Sequence, residues 1–228
     1  MATLAELKND FHDSQFVRKF LDGVAIIAPY SAPPIDDFID TDGSLKRPAE
    51  GYSGLGIVEK DSGYEFGSDA DQEEVEGHGY SSPVRIDVVK ATKTVEMTCL
   101  ETRRSVLEQY YGMDLSQVRP SEKGTVEFAE PELPSRPFCR LAIIGQDGVG
   151  EDTYWYIKFM PRAQVTEVDS HAWNKDAAAY PMTFTAFTDP DLGYSVKHIL
   201  AGPGMKKAAQ AMGFHPAGAS GDSSSAAD

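Results

Sequence analysis

The chain contains 228 residues, of which 41% are hydrophobic and 25% are charged, a composition that is typical of globular proteins and excludes disorder of the whole chain. Its net charge of -15 arises from 36 acidic and 21 basic residues. A protein that binds nucleic acid tightly must neutralise phosphates with Lys and Arg, so this balance disfavours that class. The apolar runs are too short to cross a bilayer, and the N-terminus has no basic segment followed by an apolar core. The sequence therefore predicts neither a membrane protein nor a secretory signal.

The first 40 residues are predicted to form an N-terminal arm. Leu4, Leu7 and Phe11 recur at helical spacing, and short helices or an extended arm both fit this segment. The apolar run at 23–29 predicts a strand within the arm.

The remainder is predicted to be one β-rich domain over residues 41–214, followed by a flexible Ser/Gly/Ala-rich tail over 215–228. Many short strands and a single clear helix favour a mainly β fold, a sandwich or barrel, over an alternating α/β fold. The predicted segments are a hairpin at 52–67 with its turn at 61–63, an acidic loop at 68–83 with at most one short strand, a bent strand or strand pair at 83–100, and strands at 124–131, 137–148, 152–160, 162–173 and 180–193.

The stretch at 94–99 alternates strictly between polar and apolar residues. Val95, Met97 and Cys99 point to one side of the predicted strand, and Thr94, Glu96 and Thr98 to the other. This pattern is typical of a strand in a half-buried sheet with one face in water. Cys99 and the second cysteine, Cys139, match neither a disulfide framework nor a zinc site, and we expect buried free thiols in a protein made in a reducing cytoplasm.

A charged cluster follows this strand, where a helix is predicted near 101–112 and Gly112 is placed to end it. The cluster suggests either a carboxylate–guanidinium site or exposed ion pairs on the first turns of a helix. Glu101 and Arg104 are three residues apart, and Arg104 and Glu108 are four apart, so surface pairing is the favoured interpretation. No partner base accompanies them.

No other motif predicts catalysis, a cofactor site or a metal site. The glycine-rich segment at 145–150 precedes a strand rather than a helix, which favours a hairpin turn over a phosphate-binding loop. The five histidines are scattered, and the acidic run at 73–78 is interpreted as solvated charge. The sequence Asp189–Gly193 is too short for a calcium loop and predicts a turn.

Five segments of the chain form a distinctive set: "FVRKFLDGVAIIAPYSAPPI", "EGYSGLGIVEKDSGYEFG", "PVRIDVVKATKTVEMTCLETRRSVLEQYYGMDLSQV", "FMPRAQVTEVDSHAWNKDAAAYPMTFTAFTDPDLG" and "AGPGMKKAAQAMGF". Each segment alone is a weak signal, but their number and order are specific. Taken in order, they resemble the major tail protein, or tail-tube subunit, of long non-contractile-tailed bacteriophages, most closely those of actinobacteria. The resemblance covers nearly the whole chain except about the last dozen residues.

The resemblance implies a β-sandwich subunit with one flanking helix and extended arms and loops. Such subunits form homohexameric rings that stack into the tail tube of the virion, through which the genome enters the host. Implied partners are further copies, the tape-measure protein, and the tail terminator and tip proteins, with DNA passing without adhering. The family has no catalytic residues or cofactor to carry over, and its members are made in the cytoplasm of the host bacterium.

Within this picture, Thr94, Glu96 and Thr98 are the candidate lumen-facing residues, because an acidic wet face would repel phosphate. Two alternatives stay open: a related tail-tip, hub or terminator protein that forms a single ring, and a small-ligand-binding β-sandwich enzyme. A secreted carbohydrate-binding module is disfavoured by the missing signal peptide.

Overall fold

The structure is a computed structural model that describes residues 2–171, 173 and 177–215. Its described part is mainly β, as the sequence predicts, with eight strands and three short α-helices. The strands are β1 (Asp22–Pro29), β2 (Ser53–Gly54), β3 (Tyr64–Val75), β4 (Arg85–Cys99), β5 (Cys139–Asp147), β6 (Tyr154–Val168), β7 (Tyr180–Ala186) and β8 (Lys197–Ala201). The helices are α1 (Leu4–Phe11), α2 (Arg104–Tyr111) and α3 (Pro203–Ala208), with single 3₁₀ turns at Ser14–Phe16 and Gly150–Asp152.

All strand pairs are antiparallel, in the order β2-β1-β5-β6-β7-β4-β3, and β8 joins β6 outside this order. Strand β6 connects the two halves of the sheet, because its first half pairs with β8 and its second half with β7. The sequence was expected to break into two strands near Pro161, but β6 runs through this residue. A shift of register opposite Arg140 forms a bulge there, a position at which a strand accommodates proline.

The sheet buries apolar residues on both faces. The larger core lies on one face and joins β1, β4, β5, β6 and β7 to helix α2; it includes Val95, Met97, Leu141, Phe184 and Val106. A smaller core on the other face covers β5 and β6, and consists of Ile35, Phe38, Ala142, Ile157 and Phe159. This two-sided burial is consistent with a β-sandwich.

Strands β3 and β4 extend well past the rest of the sheet. Strand β4 pairs with β7 only over 93–99, whereas its pairing with β3 continues out to Arg85. Residues 69–92 therefore form a two-stranded hairpin, here called the arm, whose residues are nearly all exposed. The expected acidic loop at 68–83 was wrong for residues 68–75, which belong to strand β3.

The predicted hairpin at 52–67 was also wrong. Its first half pairs with β1 as β2, and its second half pairs with β4 as β3, so the two halves do not pair with each other. The turn at 61–63 is present, closed by a 2.9 Å hydrogen bond from the Gly63 N–H to the Glu59 carbonyl. No strand forms at 124–131.

The N-terminal arm is shorter than the 40 residues assigned to it from the sequence. Strand β1 pairs with both β2 and β5, and Ile35 and Phe38 are buried in the smaller core, so residues 22–40 belong to the body. Only residues 2–21 precede it, and they carry the short helix α1. Of the predicted C-terminal tail, residues 216–228 lie outside the described residues.

An ion pair between Arg140, near the start of the interior strand β5, and Asp189, in the turn after β7, is buried. The Arg140 Nη1 lies 3.4 Å from Asp189 Oδ2, and the two side chains are 9% and 1% exposed. The guanidinium also donates to the carbonyls of Ala32, at 2.6 Å, and Pro161, at 3.1 Å. The predicted turn at 189–193 is thus fixed to the body through its first residue.

Burial by itself raises the pKa of Asp189, but N–H donors from Leu192 and Asp191 and the Arg140 guanidinium together hold this pKa below its usual value. We expect Asp189→Asn to lower the free energy of unfolding at pH 7 by about 3 to 5 kcal/mol, because it leaves a buried guanidinium unpaired. The stabilisation depends on the ionised carboxylate, so it is complete above the ordinary aspartate pKa and is lost as the pH falls through the lower folded value.

Urea denaturation at pH 7 and at about pH 3 measures this effect, and the difference between wild type and variant should shrink at the acidic pH. The exposed neighbour Asp191 offers a matched control as Asp191→Asn. Equal stability of the two variants at pH 7 would contradict the role given to the ion pair.

Candidate functional site

The clearest candidate for a functional surface is a polar face on the four strands β6, β7, β4 and β3. It lies opposite the larger core, and its outward positions are mostly threonine. We call it the threonine face, and define it by Glu65, Thr94, Glu96, Thr98, Thr166, Thr183 and Thr185.

Strand alternation explains why these residues share one face. In β4 the buried residues Val95, Met97 and Cys99 alternate with Thr94, Glu96 and Thr98, and in β7 every second residue from Tyr180 is buried. The β4–β7 register then pairs buried residues with buried residues, and polar residues with polar residues. Val95 lies opposite Phe184 in the core, while Thr94 lies opposite Thr185 on the threonine face.

The hydroxyl groups on this face bond to one another and to the backbone. The Thr166 Oγ1 lies 2.8 Å from the Thr185 Oγ1 and 3.4 Å from the carbonyl oxygen of Thr183. Thr94 and Thr98 are half-buried, and Glu96 is exposed. The face is therefore a partly exposed surface of hydroxyls on a hydrogen-bonded sheet.

The charges on this face are acidic. Glu65 and Glu96 lie directly opposite each other in the β3–β4 register, an arrangement that costs stability because like charges repel. Lys93, the cation of β4 that is nearest in sequence to this face, lies opposite Ala186 on the core side and bonds to Ser68. At the border of the face, the Arg136 Nη1 donates to the Thr166 carbonyl at 3.0 Å.

The charged cluster after β4 lies apart from the threonine face. Helix α2 begins at Arg104 rather than near 101, and Gly112 ends it in the left-handed conformation with φ 62°. Glu101 precedes the helix, pairs with Arg103 rather than Arg104, and accepts a 2.9 Å hydrogen bond from the Ile57 N–H. The expected ion pair between Glu101 and Arg104 was thus wrong, because Glu101 pairs with Arg103 instead.

Glu108 does lie beside Arg104, with 3.5 Å between its Oε1 and the Arg104 Nε. The same oxygen accepts the Leu115 N–H at 3.1 Å. Burial raises the pKa of Glu108, and Arg104 opposes that shift. The geometry is that of a carboxylate that fixes the chain after the helix.

The sequence analysis did not assign Thr166, Thr183 or Thr185 to the functional surface. A signal was present, because residues 180–186 alternate as strictly as 94–99. What the sequence lacked was the register, which places β7 beside β4 and so joins their polar sides.

The described residues form neither a metal-binding cluster nor a membrane-spanning helix. No group of three or more His, Cys, Asp or Glu side chains there is arranged to hold a metal ion. None of the helices in the described part is long and apolar enough to span a membrane. The glycine-rich segment at 145–150 joins β5 to β6, and its role as a hairpin turn is confirmed.

The comparison with known families identifies the kind of protein that carries this surface. A family model described as "Phage tail tube protein" matches residues 23–207, which is most of the chain and includes all eight strands apart from the first residue of β1. No curated protein matches the chain. The chain belongs to the phage tail tube protein family and is a structural component of a virion tail.

Proposed function

We propose that this protein forms hexameric rings that stack into a tail tube, and that the threonine face lines the lumen through which the genome passes. The observation that carries the proposal is the chemistry of this face. A regular sheet presents hydroxyls and the carboxylates Glu65 and Glu96 on the side opposite the larger core. Such a wall is wetted by water and repels phosphate, so DNA can slide along it without binding.

The arm supports assembly. Its second half carries Val84, just before β4, and Ile86 and Val88 on β4, which are all more than half exposed. Neither edge of the arm is paired with another strand within the described residues. An exposed apolar strip with open edges is a surface that another chain covers in the functional state. Because ring stacking is a repeated head-to-tail contact, one such surface per subunit is sufficient to build a filament.

The other partners follow from this role. A tape-measure protein would occupy the lumen before DNA, and terminator and tip proteins would close the two ends of the tube. The subunits would be made in the host cytoplasm and act in the virion. A catalytic role has no support from the described side chains.

Negative-stain electron microscopy of the purified protein over a series of concentrations tests the proposal. We expect hollow tubes or stacked six-fold rings above a threshold concentration. Single rings that never stack would favour a terminator-like role instead. If no rings form alone or with added tape-measure and initiator proteins, the proposal is overturned.

A further inference from the structure

Helix α1 carries an apolar stripe that nothing in the described part of its own chain covers. Leu4 is 69% and Phe11 80% exposed, Leu7 lies between them on the same stripe, and no residue of the helix is buried. Eight residues are too few for a stable isolated helix in water. A reciprocal capping box between Thr3 and Glu6 nevertheless defines its start, so the segment is built to be helical once its stripe is covered.

A groove with a volume of about 950 Å³ opens on the core side of the sheet, between β3 and the strands β5 and β6. More of its lining surface is apolar than polar, and Ile57 on one wall is 63% exposed. Among the residues that line it are Phe20, Ile57, Tyr64, Phe66, Ile143 and Tyr156.

The charges beside the groove match those beside the stripe. On the helix, Lys8 flanks one side of the stripe and Asp10 the other. One wall of the groove carries Glu59 and Asp61, with Lys60 between them, and the other carries Lys158. None of these charged groups has an ion-pair partner within the described part of the chain.

The path of the chain directs the helix away from its own groove. Phe20 packs over Gly145, where an added Cβ would lie 3.2 Å from the Phe20 Cβ, and its ring stands edge-on to Tyr156 at 5.9 Å. Two residues earlier, the Arg18 guanidinium lies 3.7 Å from the centre of the Tyr154 ring. Going backwards from β1, the chain therefore passes from Tyr156 towards Tyr154, whereas the groove continues the other way to Lys158.

From these observations we infer that helix α1 of one copy docks its Leu4–Leu7–Phe11 stripe into the groove of a second copy. This inference rests on the proposed function, because stacking rings supply the second copy. Residues 2–13 thereby connect neighbouring subunits, a role distinct from lining the lumen.

Cross-linking between two different variants tests the docking. Chains with Leu7→Cys are mixed with chains with Ile57→Cys during assembly, and a short bis-maleimide is added. The native thiols give little background, since Cys99 and Cys139 are buried and burial raises the pKa of each to about 12. We expect a covalent dimer on a denaturing gel. The matched control pairs Leu7→Cys with Leu133→Cys, a position that is at least as exposed as Ile57 and does not line the groove.

The same samples are viewed by electron microscopy. Tubes without the Leu7–Ile57 dimer, or with a dimer no stronger than the control, overturn the docking and leave the proposed function standing. A cross-link that forms only within single chains carrying both cysteines also overturns it. If the dimer is absent and the wild-type protein also forms no rings with added tape-measure and initiator proteins, the docking and the proposed function are overturned together.

A second variant keeps the test independent of cysteine placement. Leu7→Gln with Phe11→Gln should raise the concentration needed for tube formation about a hundredfold, because two large apolar side chains lose their burial. Asn9→Ala with Glu6→Gln changes the opposite face of α1 and should shift it far less. An unchanged threshold in the Leu7→Gln, Phe11→Gln protein contradicts the docking.

Discussion

Subunits in which residues 71–90 are replaced by Asn-Gly should fold normally and fail to form tubes. Ala70 and Ala91 are register partners, so a two-residue turn joins them without disturbing the remainder of β3 and β4. The removed part of the arm contributes no residue to either core. We expect cooperative thermal unfolding within a few degrees of wild type, because little buried surface is lost, together with a loss of tubes in electron micrographs.

The geometry of the arm gives this prediction its physical basis. A bulge between Asp71 and Gln72 shifts the register so that Val88 and Ile86 pair with Gln72 and Glu74. These two side chains thereby stay on the same side of the hairpin as the buried residues of β4. The apolar strip formed by Ile86 and Val88 therefore continues the core-facing side of β4 beyond the body of the subunit.

A pair of substitutions separates the strip from the arm as a whole. Ile86→Ser with Val88→Ser should raise the concentration for tube formation at least about tenfold. Arg85→Ser with Asp87→Ser removes an exposed 2.7 Å ion pair from the opposite side and serves as the control. Tubes that form equally well from both double variants would show that the apolar strip is not an assembly contact.

Reversing the charge of Glu96 to lysine should leave the subunit folded and slow DNA ejection about tenfold or more. Glu96 is exposed, and a lysine there would face Glu65, which turns a repulsive cross-strand pair into an attractive one. Stability should thus stay the same or rise by less than about 1 kcal/mol. In an assembled tube, the new ammonium groups would recur in every subunit and bind the passing phosphates.

The measurement is the rate of DNA release from phage particles that carry Glu96→Lys, timed with a dye that reports free DNA. Glu122→Lys makes the same change in net charge in an exposed loop outside the threonine face. If the two variants eject at the wild-type rate, Glu96 does not face the lumen. If both slow ejection equally, the effect belongs to net charge rather than to the face.

The parts of the fold that could be predicted from the sequence are those that local spacing determines. Alternation at 94–99 predicted which side of β4 is buried, since Val95, Met97 and Cys99 are all fully buried. The position of Gly112 predicted the end of α2, because the left-handed conformation there suits glycine. Both signals are local in the sequence, so they do not depend on which strands pair with each other.

The misassigned parts depend on pairing between distant segments. The arm strand over 68–75 is rich in Asp and Glu, residues that are rare in strands, and it forms because β4 supplies its hydrogen bonds. The start of α2 is three residues late because Glu101 bonds to the Ile57 N–H and Arg103 to the Gly54 carbonyl instead. The burial of Asp189 likewise requires Arg140, 49 residues away in the chain.

Only part of the candidate surface could be predicted from the sequence, for the same reason. Thr94, Glu96 and Thr98 follow from alternation, while their neighbours Thr183 and Thr185 enter only through the β4–β7 register. That the surface lines a lumen remains a prediction that the ejection experiment addresses.

Strand β6 has a mechanical consequence for a subunit within a filament. Along one edge it is bonded to β5, and along the other first to β8 and then to β7. A force applied along this strand loads many hydrogen bonds at once in shear, rather than opening them one after another from an end. A tube that bends or is pulled should therefore yield at the joints between subunits while each subunit keeps its shape.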